Sequence, residues 1–317
     1  MISSRRRRAL RGTLATTALT VALATTAGTA TASDDPSAAD RARAGAAAQN
    51  GADGRSAASA APQAADGPVV ATPTFPMTAV HKQTGNLFLY FSDRQGGFEP
   101  QYDVGVNYDF AAGSIDVDND KDGYSDGTWN LRKDGTLHYT WIDDDLQAYT
   151  KQVGKGWNIY TTVLSPGNLG GAPEADLIGL DKDGVLWGYL GYPDGTLTTR
   201  QRIGGGWGQY TQLAGQADLT GDGKADIVAR DGSGVLWLYK GTGDYKAPFA
   251  TRERIGGGWN VYDRLLSIGD MDSDGKTDLV ARKPNGDLFR YSGTGNAPAV
   301  FKSPVQIGHG FQAYNLL

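Results

Sequence analysis

One phrase recurs along this chain at a near-constant interval. Val153-Gly154-Lys155-Gly156-Trp157-Asn158-Ile159-Tyr160 is matched at 203–210, 255–262 and 307–314. A weaker copy at 104–108 puts Tyr108 in the Trp157 place, and the last copy puts Phe311 there. The starts fall 49 to 52 residues apart. A self-similar unit of this length is one supersecondary element that cannot bury its apolar face alone, so neighbouring copies must pack together. The last copy is followed by only three residues, so it begins a unit without completing one. That pattern points to a ring closed by the C-terminal segment.

A second landmark repeats between the aromatic phrases. It reads Gly85-Asn86-Leu87-Phe88, Gly135-Thr136-Leu137-His138, Gly184-Val185-Leu186-Trp187, Gly234-Val235-Leu236-Trp237 and Gly286-Asp287-Leu288-Phe289. An alternating run such as Asp226-Ile227-Val228-Ala229-Arg230 precedes the glycine in four copies. Alternation, a Gly turn and a second apolar run read as a hairpin. One full unit then holds four short strands, in the fourth copy at about 210–217, 226–230, 235–240 and 249–256. Four strands per repeat is the pattern of a β-propeller blade. The expected fold is all-β: five four-stranded blades, with another blade count or a stacked solenoid as alternatives. The first copy lacks a first strand, and the segment from Phe311 supplies one, which would hide both sheet edges.

The whole chain does not fit this domain. Residues 1–32 read as a secretory signal: Arg5 to Arg8 and Arg11, then a short apolar stretch, then Ala30-Thr31-Ala32. That stretch is too short for a membrane span. Residues 33–72 hold almost no large apolar side chains and read as a disordered linker, leaving 73–317 for the propeller. Without its first 32 residues the chain has a formal charge of −10, which disfavours a phosphate-backbone partner. The chain has no cysteine, so a secreted ring would take its rigidity from closure or bound metal.

The acid is almost all Asp, and it clusters. Three units carry a nine-residue loop before their second strand: Asp118 to Asp126, Asp218 to Asp226, and Asp270 to Asp278. Oxygen-bearing side chains fill positions one, three, five and nine: Asp118, Asp120, Asp122 and Asp126; Asp218, Thr220, Asp222 and Asp226; Asp270, Asp272, Asp274 and Asp278. Position six is Gly in all three, and position seven (Tyr124, Lys224, Lys276) offers a backbone carbonyl. Calcium takes six to eight oxygens, so this spacing predicts three calcium sites. They are not EF-hands, because position twelve is Trp129, Ala229 or Ala281 where a Glu is needed. The loop at 168–176 has lost its oxygens at positions three and five, and no metal is expected there. The first unit has no such loop.

The Asp loops resemble the FG-GAP repeat of integrin α-subunits, also called the VCBS repeat, over about 109–317. The Gly-x-Gly-Trp and Gly-x-Leu-Trp phrases resemble the five-bladed lectins of the tachylectin-2 type. Integrin-type rings have seven blades, and the five repeats here favour the lectin-like count. The first resemblance implies an extracellular, calcium-binding module. The second implies N-acetylated sugars bound between blades.

Two readings stand for each of two repeated aromatic sets, Tyr108, Trp157, Trp207, Trp259 and Phe311, and Phe88, His138, Trp187, Trp237 and Phe289: packing between blades, or platforms for a sugar ring, for which Trp157, Trp207 and Trp259 are the candidates. His81, His138 and His309 lie in different repeats, and no nucleophile elbow or phosphate loop is present. The run Asp143-Asp144-Asp145 is the one acidic feature outside the repeat that a carbohydrate enzyme could use. The expectation is a secreted, monomeric, non-catalytic binding module. Its partner is a glycan or an extracellular protein, with no nucleic acid and no membrane span.

Overall fold

The computed structural model describes residues 71–143 and 147–317. The signal segment at 1–32, all but the last two residues of the expected linker, and Asp144 and Asp145 lie outside the described residues. Twenty strands form five four-stranded antiparallel sheets. Blade I begins with β1 (Met77–His81), β2 (Asn86–Tyr90) and β3 (Tyr102–Asn107). Blade II holds β4 (Ala111–Val117), β5 (Gly127–Arg132), β6 (Leu137–Ile142) and β7 (Ala148–Gly154). Blade III holds β8 (Tyr160–Gly167), β9 (Asp176–Asp181), β10 (Leu186–Tyr189) and β11 (Gln201–Gly204). Blade IV holds β12 (Tyr210–Ala214), β13 (Ile227–Asp231), β14 (Leu236–Tyr239) and β15 (Glu253–Gly256). Blade V holds β16 (Arg264–Gly269), β17 (Asp278–Arg282), β18 (Leu288–Tyr291) and β19 (Val305–Gly308).

The remaining strand, β20 (Tyr314–Leu316), completes blade I and closes the ring. It runs antiparallel to β1, with Ala79 opposite Leu316 and His81 opposite Tyr314. The Leu317 N–H donates to the Thr78 carbonyl at 3.0 Å. The fold is therefore the five-bladed propeller expected from the repeat. Two strand bounds differ from expectation: the first strand of blade IV stops at Ala214, and the fourth starts at Glu253. Phe249 forms only an isolated bridge to Gly241, so the chain joins the ladder later than its apolar pattern suggests.

The aromatic phrase makes the joint between blades. Gly156, Gly206, Gly258 and Gly310 take φ of 79°, 86°, 86° and 83°, which an L-residue with a Cβ adopts only under strain. Each is followed by a single 3-10 turn, such as Trp207–Gln209, and the phrase's Tyr then starts the next blade, except at Tyr262, just before β16. The turn drives its aromatic ring inward. Five separate apolar cores result, one at each blade–blade junction, centred on Tyr108, Trp157, Trp207, Trp259 and Phe311. A ring of this kind buries about 150–250 Å², worth about 4–6 kcal/mol gross. Hydroxyl pairs tie three of the joints further: Tyr160 with Tyr189 at 2.5 Å, Tyr210 with Tyr239 at 2.6 Å, and Tyr262 with Tyr291 at 2.8 Å.

Two arginines lock neighbouring blades. Arg230 of β13 donates to the carbonyls of Trp259 and Tyr262. Arg282 of β17 repeats this at the seam, donating to the Phe311 carbonyl at 3.0 Å and the Tyr314 carbonyl at 2.7 Å. Its other nitrogens hold Asp263 at 2.9 and 3.0 Å. The charge is thus buried with its donors used, which is the condition for a buried ion pair to be tolerated.

Candidate metal centres

Each Asp loop crosses from the first to the second strand of its blade. The backbone takes left-handed φ at position four (Lys121, Gly221, Ser273) and at position six (Gly123, Gly223, Gly275). These reversals fold the loop around its first aspartate. Asp118 accepts the N–H groups of Asp122 and Gly123, Asp218 those of Gly221 and Gly223, and Asp270 those of Asp274 and Gly275.

Carboxylates converge in all three loops. Oxygens of Asp118, Asp120 and Asp122 lie within 4.8 Å of one another, as do those of Asp218, Asp222 and Asp226, and those of Asp270, Asp272 and Asp278. The donors are hard oxygens, the chemistry that suits calcium or magnesium rather than a thiolate-seeking metal. Crowding and burial resist ionisation. Burial, then the charges of Asp126, Asp122 and Asp120, push Asp118 up to about 7, against the pull of the Gly123 N–H. Burial likewise lifts Asp126, Asp226 and Asp278 to about 6. A cation among such groups would relieve their mutual repulsion.

The loops are not equal. In the third, Arg290 of β18 reaches into the cluster. Its Nη1 stands 2.7 Å from Asp272 Oδ2, off the hydrogen-bond direction, and 3.6 Å from Asp278 Oδ2. Gly96 of blade I packs against this guanidinium, and a Cβ there would stand 2.0 Å from Nη1. Asp274 is drawn aside by Lys276 at 3.9 Å and Lys302 at 3.4 Å. The side chains at position seven also play different parts: Lys224 stands 4.0 Å from Asp222, and Arg94 lies over the Tyr124 ring. Thr220 donates its hydroxyl weakly to Asp218 at 3.4 Å and lies outside the carboxylate trio.

In the second and third loops position nine has a second task, whereas in the first Asp126 accepts the N–H groups of Asn119 and Asp120. Asp226 accepts the N–H of Leu219 and of Gly241, and Asp278 those of Met271 and Gly293. Asp176 does the same with Leu169 and Gly191 in the loop expected to hold no metal. This aspartate therefore ties the loop to the outer turn of its own blade whether or not a cation is held. In that loop Asn168 accepts the Gly170 N–H, and Pro173 stands at position six, where its ring forbids the left-handed turn. Blade I has no loop at all, and the strand-like segment before β1 fills the gap. Ala71 N–H and Thr74 N–H donate to the carbonyls of Lys121 and Gly123, and the Thr72 hydroxyl to that of Gly275. Among the described residues, ring contacts already include Ala71 and Thr72, inside the expected linker.

Trp157, Trp207 and Trp259 are only 6%, 7% and 8% exposed and sit in the blade–blade cores. As platforms for a sugar they are misassigned, because the 3-10 turn aims them inward. The other aromatic set is half-buried. Trp187 donates Nε1 to Asp181 at 2.7 Å under the Arg200 guanidinium, 4.1 Å from its ring centroid. Trp237 repeats this with Asp231 at 2.8 Å and Arg252 at 4.1 Å. The tryptophans belong to the second repeated aromatic set, but sequence reasoning missed their Asp and Arg partners, although Asp181 and Asp231 stand six residues before their tryptophans in both copies.

Comparison with known proteins fits this architecture. The sequence model of the FG-GAP-like repeat matches residues 218–281, which span the second and third Asp loops. No curated protein matches the chain in sequence. Among solved structures, AofleA from Arthrobotrys oligospora shares 11% identity over 75% of this chain and 73% of its own, with a TM-score of 0.45. The periplasmic gluconolactonase PpgL of Pseudomonas aeruginosa shares 11% over 75% and 67%, with a TM-score of 0.38. The intramolecular trans-sialidase of Ruminococcus gnavus shares 14% over 62% and 46%, with a TM-score of 0.35. At these scores none bears on what this chain binds. The protein is a five-bladed β-propeller that carries an FG-GAP-like repeat across residues 218–281.

Proposed function

We propose that the protein is a secreted, calcium-stabilised binding module without catalysis of its own, and that its ligand is a glycan. The observation that carries the calcium reading is the convergence of three carboxylates in each of three equivalent loops. With dissociation constants of about 0.1–1 mM and about 1 mM calcium outside a cell, each site would add roughly 0.4–1.4 kcal/mol. The first loop and the third also hold the segment before β1, so bound calcium would brace blade I from both sides. Residues 1–32 support export through their basic start and apolar stretch.

The glycan reading is supported by the two half-buried indoles, each flanked by a fixed carboxylate and a guanidinium. Aromatic edge beside paired charges suits a ring that presents both C–H and hydroxyl groups. Repetition in adjacent blades would add avidity to weak single contacts.

The test is retention of the full-length protein on immobilised glycans and insoluble polysaccharides, in calcium and in chelator. The Trp187→Ala/Trp237→Ala double variant serves as control. Retention of the wild type, reduced at least tenfold in the variant with its unfolding midpoint preserved, is expected. A folded, calcium-loaded protein that no glycan retains moves the reading to a protein partner. Calcium itself is read by titration calorimetry, where three equivalents at most are expected and zero heat removes the calcium reading.

A further inference from the structure

The innermost strands leave a partly open space on the propeller axis, about 110 Å³ in volume. A water needs about 10–15 Å³ of such volume, so the space holds several small particles. All five blades contribute to its wall, which includes Thr78, Asp116, Ser165, Gln216, Arg264 and Ser267. The wall is polar at these points although the surrounding strands are apolar.

Arg264 is the exceptional residue. It opens β16, at the place filled by Thr162 in blade III and Gln212 in blade IV, counting from each blade's leading tyrosine. Its Nε is shut off from solvent and has no hydrogen-bond acceptor among the described residues. The carboxylate beside it, Asp263, is already taken in a two-point pair by Arg282, the cross-strand partner of Arg264. Of these two cross-strand arginines, only Arg282 has a carboxylate in contact among the described residues. Burial, then the like charge of Arg282, hold the Arg264 guanidinium below the ordinary arginine range. Asp116 on the wall is engaged elsewhere: its Oδ1 accepts the hydroxyls of Thr128 and Ser125, and no contact joins it to Arg264 among the described residues.

A half-buried guanidinium whose Nε lacks an acceptor gains from a counter-ion. We propose that the axial cavity is an anion site, in which one small anion, a halide or a carboxylate of acetate size, rests on the Arg264 guanidinium. The planar fork of donors suits a carboxylate in two-point contact and a halide in bifurcated contact. The site is independent of the calcium loops and of any glycan.

Bromide is the probe. Crystals of the full chain grown in bromide are examined by anomalous diffraction at the bromine edge, and a peak in contact with the Arg264 guanidinium is expected. In solution, chloride replaces the bulky sulfonate of HEPES at fixed ionic strength. The wild type should gain a saturable rise of about 2–4 °C in its unfolding midpoint, and Arg264→Met should show none. Water alone at the guanidinium in the bromide crystals overturns the proposal. So does an Arg264→Met protein that responds like the wild type, because the effect then lies on the outer surface. If that variant does not fold, the wild-type diffraction decides alone.

Discussion

Arg290 shows how one side chain can make repeated loops unequal. A guanidinium 2.7 Å from Asp272 and 3.6 Å from Asp278 already supplies positive charge that a metal would otherwise bring. Replacing it by Met should tighten calcium at the third loop about tenfold, by removing a like charge from its edge. The check is the gap between unfolding midpoints in calcium and in chelator, which should widen in Arg290→Met; an unchanged gap means the arginine does not compete. Asp176 gives a second prediction. Burial raises it to about 7 from an unfolded value of about 3.9. A carboxyl raised on folding contributes stability that is full below the unfolded value and lost as pH rises through the folded value. Asp176→Asn should therefore flatten the decline in stability between about pH 4 and pH 7, by on the order of 1–4 kcal/mol. Urea unfolding of both proteins in saturating calcium measures this, and parallel pH profiles would refute it. The loops were legible in the sequence because their ligand types and spacing are local. Arg290 was not legible, since it lies in a later strand and reads as one residue of an ordinary alternating run.

The inter-blade turn is the element on which the ring depends. Trp207 is buried against strands of blades III and IV together, so Trp207→Ala should cost about 3–5 kcal/mol. Trp187, half-exposed beneath Arg200, should cost clearly less on the same change. Chemical unfolding of the two variants side by side checks the ordering, and equal losses would mean that both sets are core. Second and third strands were easy to read, because alternation and the intervening Gly turn are properties of adjacent residues. The division of labour between the two tryptophan sets was not, since both are the same residue type at the same period. What separates them is the direction in which a left-handed glycine and a single 3-10 turn point the ring, and that exists only once the chain is folded. The fourth strand was read too long for a similar reason: Phe249 has strand chemistry, but its neighbours make a turn.

At the scale of the molecule, the ring is only as secure as the pairing of β20 with β1. That closure was legible because strands could be counted: one unit lacked a first strand and the last phrase supplied it. Arg282 reinforces the seam through the carbonyls of Phe311 and Tyr314, so Arg282→Met should loosen it by about 2–4 kcal/mol. Limited proteolysis should then cut first near the seam, and a wild-type cleavage pattern would count against this role. The pairing also sets an order of events in time. β1 is made before β4 to β19 and β20 after them, so blade I waits with an open edge while the other four blades are made. Blades II to V can each collect their own strands as they emerge, while blade I cannot finish until the rest exist. Ring closure would then wait for β20, and a chain terminated before it would keep a bare strand edge that quality-control proteases and aggregation can find.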